Sequence, residues 1–172
     1  MRVRRHLVAL LAAPLLLSAC GGGSTSAADP PVSGPTSTPP SSDPPVRESP
    51  QHFIRRWAAA EKRMENTGDT GPYLAMSKGC EACRKLADQV RGFYAAGGFV
   101  RWGGWRILSI EVNSRHGHSI TYAVRNRSMP TSYRESDSGS VQHLSGGVTT
   151  ELLSLIPTGD QWNMRSKAEL AS

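Results

Sequence analysis

Apolar residues in the middle of the chain recur at helical spacing. After Ser49-Pro50, the residues Phe53, Trp57, Ala60 and Met64 share one face, while Arg55, Arg56, Lys62, Arg63 and Glu65 fall mostly on others. Ser49 is a capping residue and Pro50 is tolerated in a first turn, so a first helix is predicted to start there. "NTGDTG" (Asn66 to Gly71) ends it and opens a second, short helix in "PYLAMSKG", with Pro72 at its first position and Gly79 as its stop. A third helix is predicted from about Cys80 to Ala96. Its apolar face is Cys83, Leu86, Ala87, Val90, Phe93 and Tyr94, and Gly97-Gly98 closes it.

Beyond Gly98 the period changes to alternation. "WRILSIEV" sets Leu108, Ile110 and Val112 against Ser109 and Glu111, and "SITYAVRN" sets Ile120, Tyr122 and Val124 against Thr121, Ala123 and Arg125. With the turn "SRHGH" between them, these runs predict a hairpin. "RSMPTSYRESDSGS" reads as a long loop or an exposed strand pair, and "VTTELLSLIP" and "QWNMRS" as the last two strands. Helices first and an antiparallel sheet afterwards predict an α+β domain over residues 49–172, with the helices covering one sheet face.

The N-terminal pattern is of another kind. "MRVRRH" is basic and "LVALLAAPLLL" is apolar, too short to span a bilayer at about 20 residues but suited to a signal-peptide core. It runs into Leu17-Ser18-Ala19-Cys20, which matches the bacterial lipobox. Residues 1–19 are therefore read as a lipoprotein signal peptide, with Cys20 as the lipidated first residue of the mature chain. Residues 20–48 follow as a tether: eight of the twelve prolines lie within 21–50, with Gly, Ser and Thr filling most of the rest. Such a composition cannot bury enough apolar surface to fold. At about 3.1 Å per residue it would reach roughly 80 Å. The expected place is the extracytoplasmic face of the cell membrane, held by lipid on Cys20.

Charge adds little at this level. The chain carries +6, but three of its basic residues are the signal arginines Arg2, Arg4 and Arg5, which leaves about +3 for the mature protein. That excess suits an anionic membrane or wall surface. The sequence shows no clustered Lys/Arg stripe of the kind nucleic-acid binding needs, and no nucleic-acid partner is expected.

The candidate chemistry centres on "GCEAC". Cys80 and Cys83 could form a redox pair, half a zinc site or a structural disulfide. A thioredoxin-like pair follows a strand, whereas this one follows a helix and turn. Zinc needs four ligands; His116 and His118 flank a turn glycine, so no metal site is expected. Residues i and i+3 of a helix lie about 5 Å apart, within disulfide range, and the compartment is oxidising, so a disulfide is the expectation. His52, Tyr73 and Tyr122 are candidate ligand-cavity residues, and Trp102, in a glycine-rich turn, is a candidate binding edge. No nucleophile elbow, phosphate loop or metal-protease motif occurs, and no cofactor is expected.

"SPQHFIRRWAAAEKRMENTGDTGPYLAM", "GCEACRKLADQV" and "AGGFVRWGGWRI" together resemble an uncharacterised family of actinobacterial lipoproteins, a domain of unknown function, over roughly residues 49–166. More loosely, the order of helices and then a curved sheet resembles the NTF2-like (cystatin-like) fold. The resemblance implies location and architecture, and pairing of two sheets into a homodimer. The resulting expectation is a non-catalytic module for an envelope protein or small ligand. The alternatives are a small cavity enzyme and a thiol-disulfide protein. In cells fed labelled palmitate, the label is expected on this protein, and Cys20→Ala is expected to lose the label and leave the membrane. Membrane retention of Cys20→Ala would refute the anchor.

Overall fold

The computed structural model describes Glu48 to Leu170, so the signal peptide, Cys20 and the tether to Arg47 lie outside the described residues. Helix α1 (Pro50–Thr67) starts where the sequence places it. Extended Ser49 accepts a hydrogen bond from the His52 N–H at 3.2 Å, and Pro50 sits in the first turn. A left-handed Gly68 ends the helix. The short helix α2 (Gly71–Ala75) leads to α3 (Glu81–Ala95), whose N-cap is Cys80.

Seven strands follow: β1 (Gly97–Trp102), β2 (Trp105–His116), β3 (Ser119–Ser128), β4 (Thr131–Ser136), β5 (Gln142–Leu144), β6 (Gly147–Thr158) and β7 (Gln161–Glu169). They pair antiparallel as β1-β4-β5 and β2-β3-β6-β7. The register shows that these two sheets are one sheet folded along a line. Trp102 pairs with Thr131 on one side of the fold and Trp105 with Ser128 on the other; Thr131 pairs with Leu144, and Ser128 with Gly147. Three long strands therefore bend together, at Gly103-Gly104, Met129-Pro130 and Ser145-Gly146.

The bend has a chemical cause at each strand. Pro130 offers no N–H and cannot continue a ladder. Gly104 (φ +89°) accepts a hydrogen bond from the Met129 N–H at 3.1 Å, and a Cβ there would lie 2.7 Å from the Lys62 side chain. Gly146 (φ +71°) is tighter still: a Cβ would sit 2.4 Å from the Ser128 carbonyl oxygen. Asn66, near the end of α1, clasps the corner from inside. Its amide accepts from the Trp102 N–H and donates to the Trp102 C=O, both at 2.9 Å.

The helices lie on the inner face of the bent sheet. Phe53, Ile54, Trp57 and Met64 of α1, Tyr73 of α2 and Cys83, Ala87 and Val90 of α3 pack against Tyr122, Val124, Leu153, Leu155 and Met164. Each large side chain so buried contributes about 1.5–3 kcal/mol. This core is made within the described residues, which all belong to one compact unit, Asp43–Ser172. That unit contains what its own folding requires.

Two local expectations change. The pattern marks no strand before Trp105, yet Gly97–Trp102 is one, because β4 supplies a partner that local sequence does not reveal. On β2, a bulge between Ile107 and Ser109 places Ile107, not Leu108, on the helix-facing side with Ile110; Leu108 stays 40% exposed. The corner makes a clean comparison possible. Gly146→Ala is expected to cost about 2 kcal/mol or more, from the left-handed backbone and the carbonyl clash. Gly147→Ala, with nothing within 4 Å of the added Cβ, should leave the melting temperature nearly unchanged. Equal melting of the two variants would refute this account of the bend.

Candidate functional site

Residues 54, 57, 58, 61 and 64 of α1 are buried, and Glu61 is therefore a carboxyl in a core position. It is 1% exposed and accepts a hydrogen bond from Lys167 Nζ at 2.7 Å. Lys167 reaches it from β7, with its ammonium over the rings of Trp105 (4.7 Å) and Trp57 (5.6 Å). These aromatic faces and one carboxylate replace the water that the ammonium gives up. Glu65, one turn further along α1, and buried Glu151 on β6 complete a set of three carboxyls around one cation.

Their environment favours protons. Burial pushes Glu61 above the ordinary carboxyl range, with Lys167 pulling the other way. Burial and then the charge of Glu61 raise Glu65 to about 7. Burial also raises Glu151. Lys167 is opposed by its own burial, but Glu61, Glu151 and Glu65 outweigh it and hold the ammonium charged. The Tyr73 phenol is pushed far up, first by burial and then by the three carboxyls, and stays neutral. Several polar atoms here make no hydrogen bond within the protein: Glu61 Oε2, Glu151 Oε2, Tyr73 Oη and both amide atoms of Asn126.

Glu65 also belongs to a groove of about 200 Å³ between α3 and the inner face of β1, β4 and β5. Leu86, Val90 and Phe93 of α3 form one wall; Val100, Tyr133 and Leu144 form the other. Phe93 stacks on Tyr133 with ring centroids 5.8 Å apart. The groove is thus mainly apolar, with one carboxyl of near-neutral pKa in its lining.

The residues singled out from sequence are not brought to one place. His52 is a surface residue, its side chain 70% exposed and its Nδ1 2.8 Å from Glu48 Oε1, so it lines no cavity. Glu48 also pairs with Arg56, which holds its carboxyl below the usual range. Tyr73 joins the carboxyl cluster, while Tyr122 is core. Trp102 offers no binding edge: it is 7% exposed and its Nε1 donates to Ser128 Oγ at 3.0 Å, because the corner folds β1 against α1. Cys80 and Cys83 are bonded and both buried, with Cα atoms 5.3 Å apart, and Cys80 Sγ accepts from the Cys83 N–H. The loop before them is tied to β7, where Asn163 bonds both the N–H and the C=O of Lys78. Among the described residues no three His, Cys, Asp or Glu side chains are grouped to hold a metal.

Glu61, Glu65, Glu151 and Lys167 were not marked by the sequence. A signal existed for two of them, since Trp57, Glu61 and Glu65 are spaced by four and share a stripe. Glu151 and Lys167 reach the cluster only through sheet pairing.

No family profile and no curated protein matches the chain. Among solved structures, the intermembrane space region of the chloroplast protein ARC6 is similar with a TM-score of 0.51 at 10% identity, covering 71% of this chain and 94% of that one. An NTF2-like protein of unknown function from Shewanella oneidensis has a TM-score of 0.41 at 12% identity, over 70% and 98% of the two chains. An NTF2-like protein with a cystatin-like fold from Novosphingobium aromaticivorans has 0.41 at 14%, over 69% and 79%. At 10% identity the likeness to the ARC6 region concerns fold alone. The chain is an α+β protein with helices packed on a curved antiparallel sheet.

The raised carboxyls fix a pH dependence. The folded protein holds the Glu65 proton more tightly than the unfolded chain does. That stabilisation is complete below the ordinary value of 4.5 and is lost as pH rises through about 7. Glu61 and Glu151 act in the same direction. The melting temperature is expected to fall between pH 5 and pH 8, and to fall less in Glu65→Gln. A wild-type profile that rises over this range would contradict the assignment.

Proposed function

We propose that this chain is a lipid-anchored extracytoplasmic protein whose folded domain binds an envelope protein or small ligand without chemistry. The lipobox at Leu17–Cys20, the Pro-rich tether and the resemblance to actinobacterial lipoproteins support the location. One observation carries the binding reading: the apolar groove between α3 and β1-β4-β5, with Glu65 as its carboxyl. Its volume, about 200 Å³, is below the 300–1,000 Å³ range of drug-sized pockets. It suits a ring, a short alkyl chain or one apolar side chain of a partner. A carboxyl titrating near 7 donates to a ligand carbonyl or hydroxyl when protonated and accepts from an amine when ionised.

The same carboxyl favours a second reading, a small cavity enzyme. A general base works best with a pKa near the operating pH, and Glu65 has one. The thiol-disulfide alternative gains no such support, since both sulfurs are buried.

A small neutral probe, indole, is expected to bind in the groove, read as shifted amide resonances of α3 and β4. Leu86→Trp, which fills the groove from α3, should weaken binding about tenfold or more, equivalent to 1.4 kcal/mol. Unchanged binding in that variant would remove the groove as the site. A turnover lost in Glu65→Gln with probe binding kept would move the conclusion to the enzyme.

A further inference from the structure

Sheet register gathers arginines that the sequence scatters. Arg106 on β2 lies directly opposite Arg127 on β3, and Arg125 follows on the same face opposite Ser109. Across the corner, β1 and β4 place Arg101 and Arg134 on that same outer face, both against the ring of Phe99, at 5.0 and 5.5 Å. The helices cover the opposite face. Arg101, Arg106, Arg125 and Arg127 are exposed, and none of them has an acidic partner within the described residues. The acids on this face are Glu111, opposite Ala123, and Asp137, which lies 3.4 Å from Arg134.

Like charges directly opposite on paired strands destabilise a sheet, so folding gives no reason for the Arg106–Arg127 row. A dense array of negative charge outside the protein supplies one. Apolar side chains stand among the arginines: Phe99 between two of them, and Val148, 41% exposed, opposite Arg127. That mixture matches a surface with anionic headgroups above an apolar layer. The inward placement of Glu61, Glu65 and Glu151 also leaves the exterior more basic than composition indicates.

We propose that this outer sheet face docks on a bilayer of anionic phospholipid. The inference rests on the membrane anchoring proposed above, because a tether keeps the domain at high effective concentration near the bilayer, where a weak face is sufficient. Each arginine close to an anionic surface strengthens binding about fivefold, so the four exposed ones together give on the order of several hundredfold.

The test uses the self-contained unit from Asp43 to Ser172, which has no Cys20. Co-sedimentation with phosphatidylglycerol/phosphatidylcholine vesicles is expected, with none on pure phosphatidylcholine and loss at high salt. Arg106→Thr/Arg127→Thr should bind about 25-fold more weakly, with a melting temperature equal to or above that of wild type. Residues with a purely structural role would lower it. Absent or phosphatidylcholine-equal binding, or full binding by the double variant, would overturn the proposal. Capture by soluble polyphosphate but not by vesicles would assign the face to an anionic polymer instead. A wild-type dimer by sedimentation that the double variant changes would assign it to a second copy. Anchoring is judged separately by palmitate on Cys20, so either idea can fail alone.

Discussion

The bend across the sheet is the constraint on which the rest of this structure depends. Three strands turn at one level because Gly104 and Gly146 adopt backbone that side chains disfavour and Pro130 withholds a donor. Without the turn, β1, β4 and β5 would extend away from the helices. With it they close over α3 and leave the apolar groove on the inner side. Asn66 fastens the angle by taking both main-chain groups of Trp102. One line of small or donor-less residues thus separates an inner surface, which carries the helices and the groove, from an outer surface that the helices leave uncovered.

The interior inside that bend is costly to fill as this chain fills it. Burying an ammonium and a carboxylate forfeits several kcal/mol of hydration per ion, and a paired geometry returns only part of it. Lys167 recovers some from two indole faces and from Glu61. At Glu65 and Glu151 burial outweighs the pull of Lys167 and raises both carboxyls. An apolar set of the same volume would be at least as stable, so stability alone does not account for this group. The group lies beside the groove, with Glu65 belonging to both.

Much of the frame was legible in the sequence because it is local. Ser49-Pro50 caps and starts α1, "GCEAC" starts α3 and closes its own disulfide, and the Trp105–Arg125 hairpin follows from period two. What was illegible depends on partners distant in the chain. β1 is a strand only because β4 pairs with it, and Leu108 is exposed only because a bulge shifts its strand. Trp102 resembled an exposed turn aromatic until the corner folded it inward. The candidate site suffered most, since Lys167 meets Glu61 from more than a hundred residues away. The histidine and tyrosines were chosen by residue type, whereas the spacing of Glu61 and Glu65 from Trp57 carried the better clue.

The margins of the folded sheet have a consequence for life at high density. Its four outer strands are each poor templates for another chain: β2 carries two register shifts, β5 is three residues long, β1 is short and ends at the corner, and β7 carries an inward lysine beside a register shift. Short, bulged and charged edges discourage strand addition between molecules. Proteins concentrated on a two-dimensional surface meet one another far more often than in solution. On the membrane proposed for this chain, a sheet with such blunt edges could be crowded without joining its neighbours into a continuous ladder.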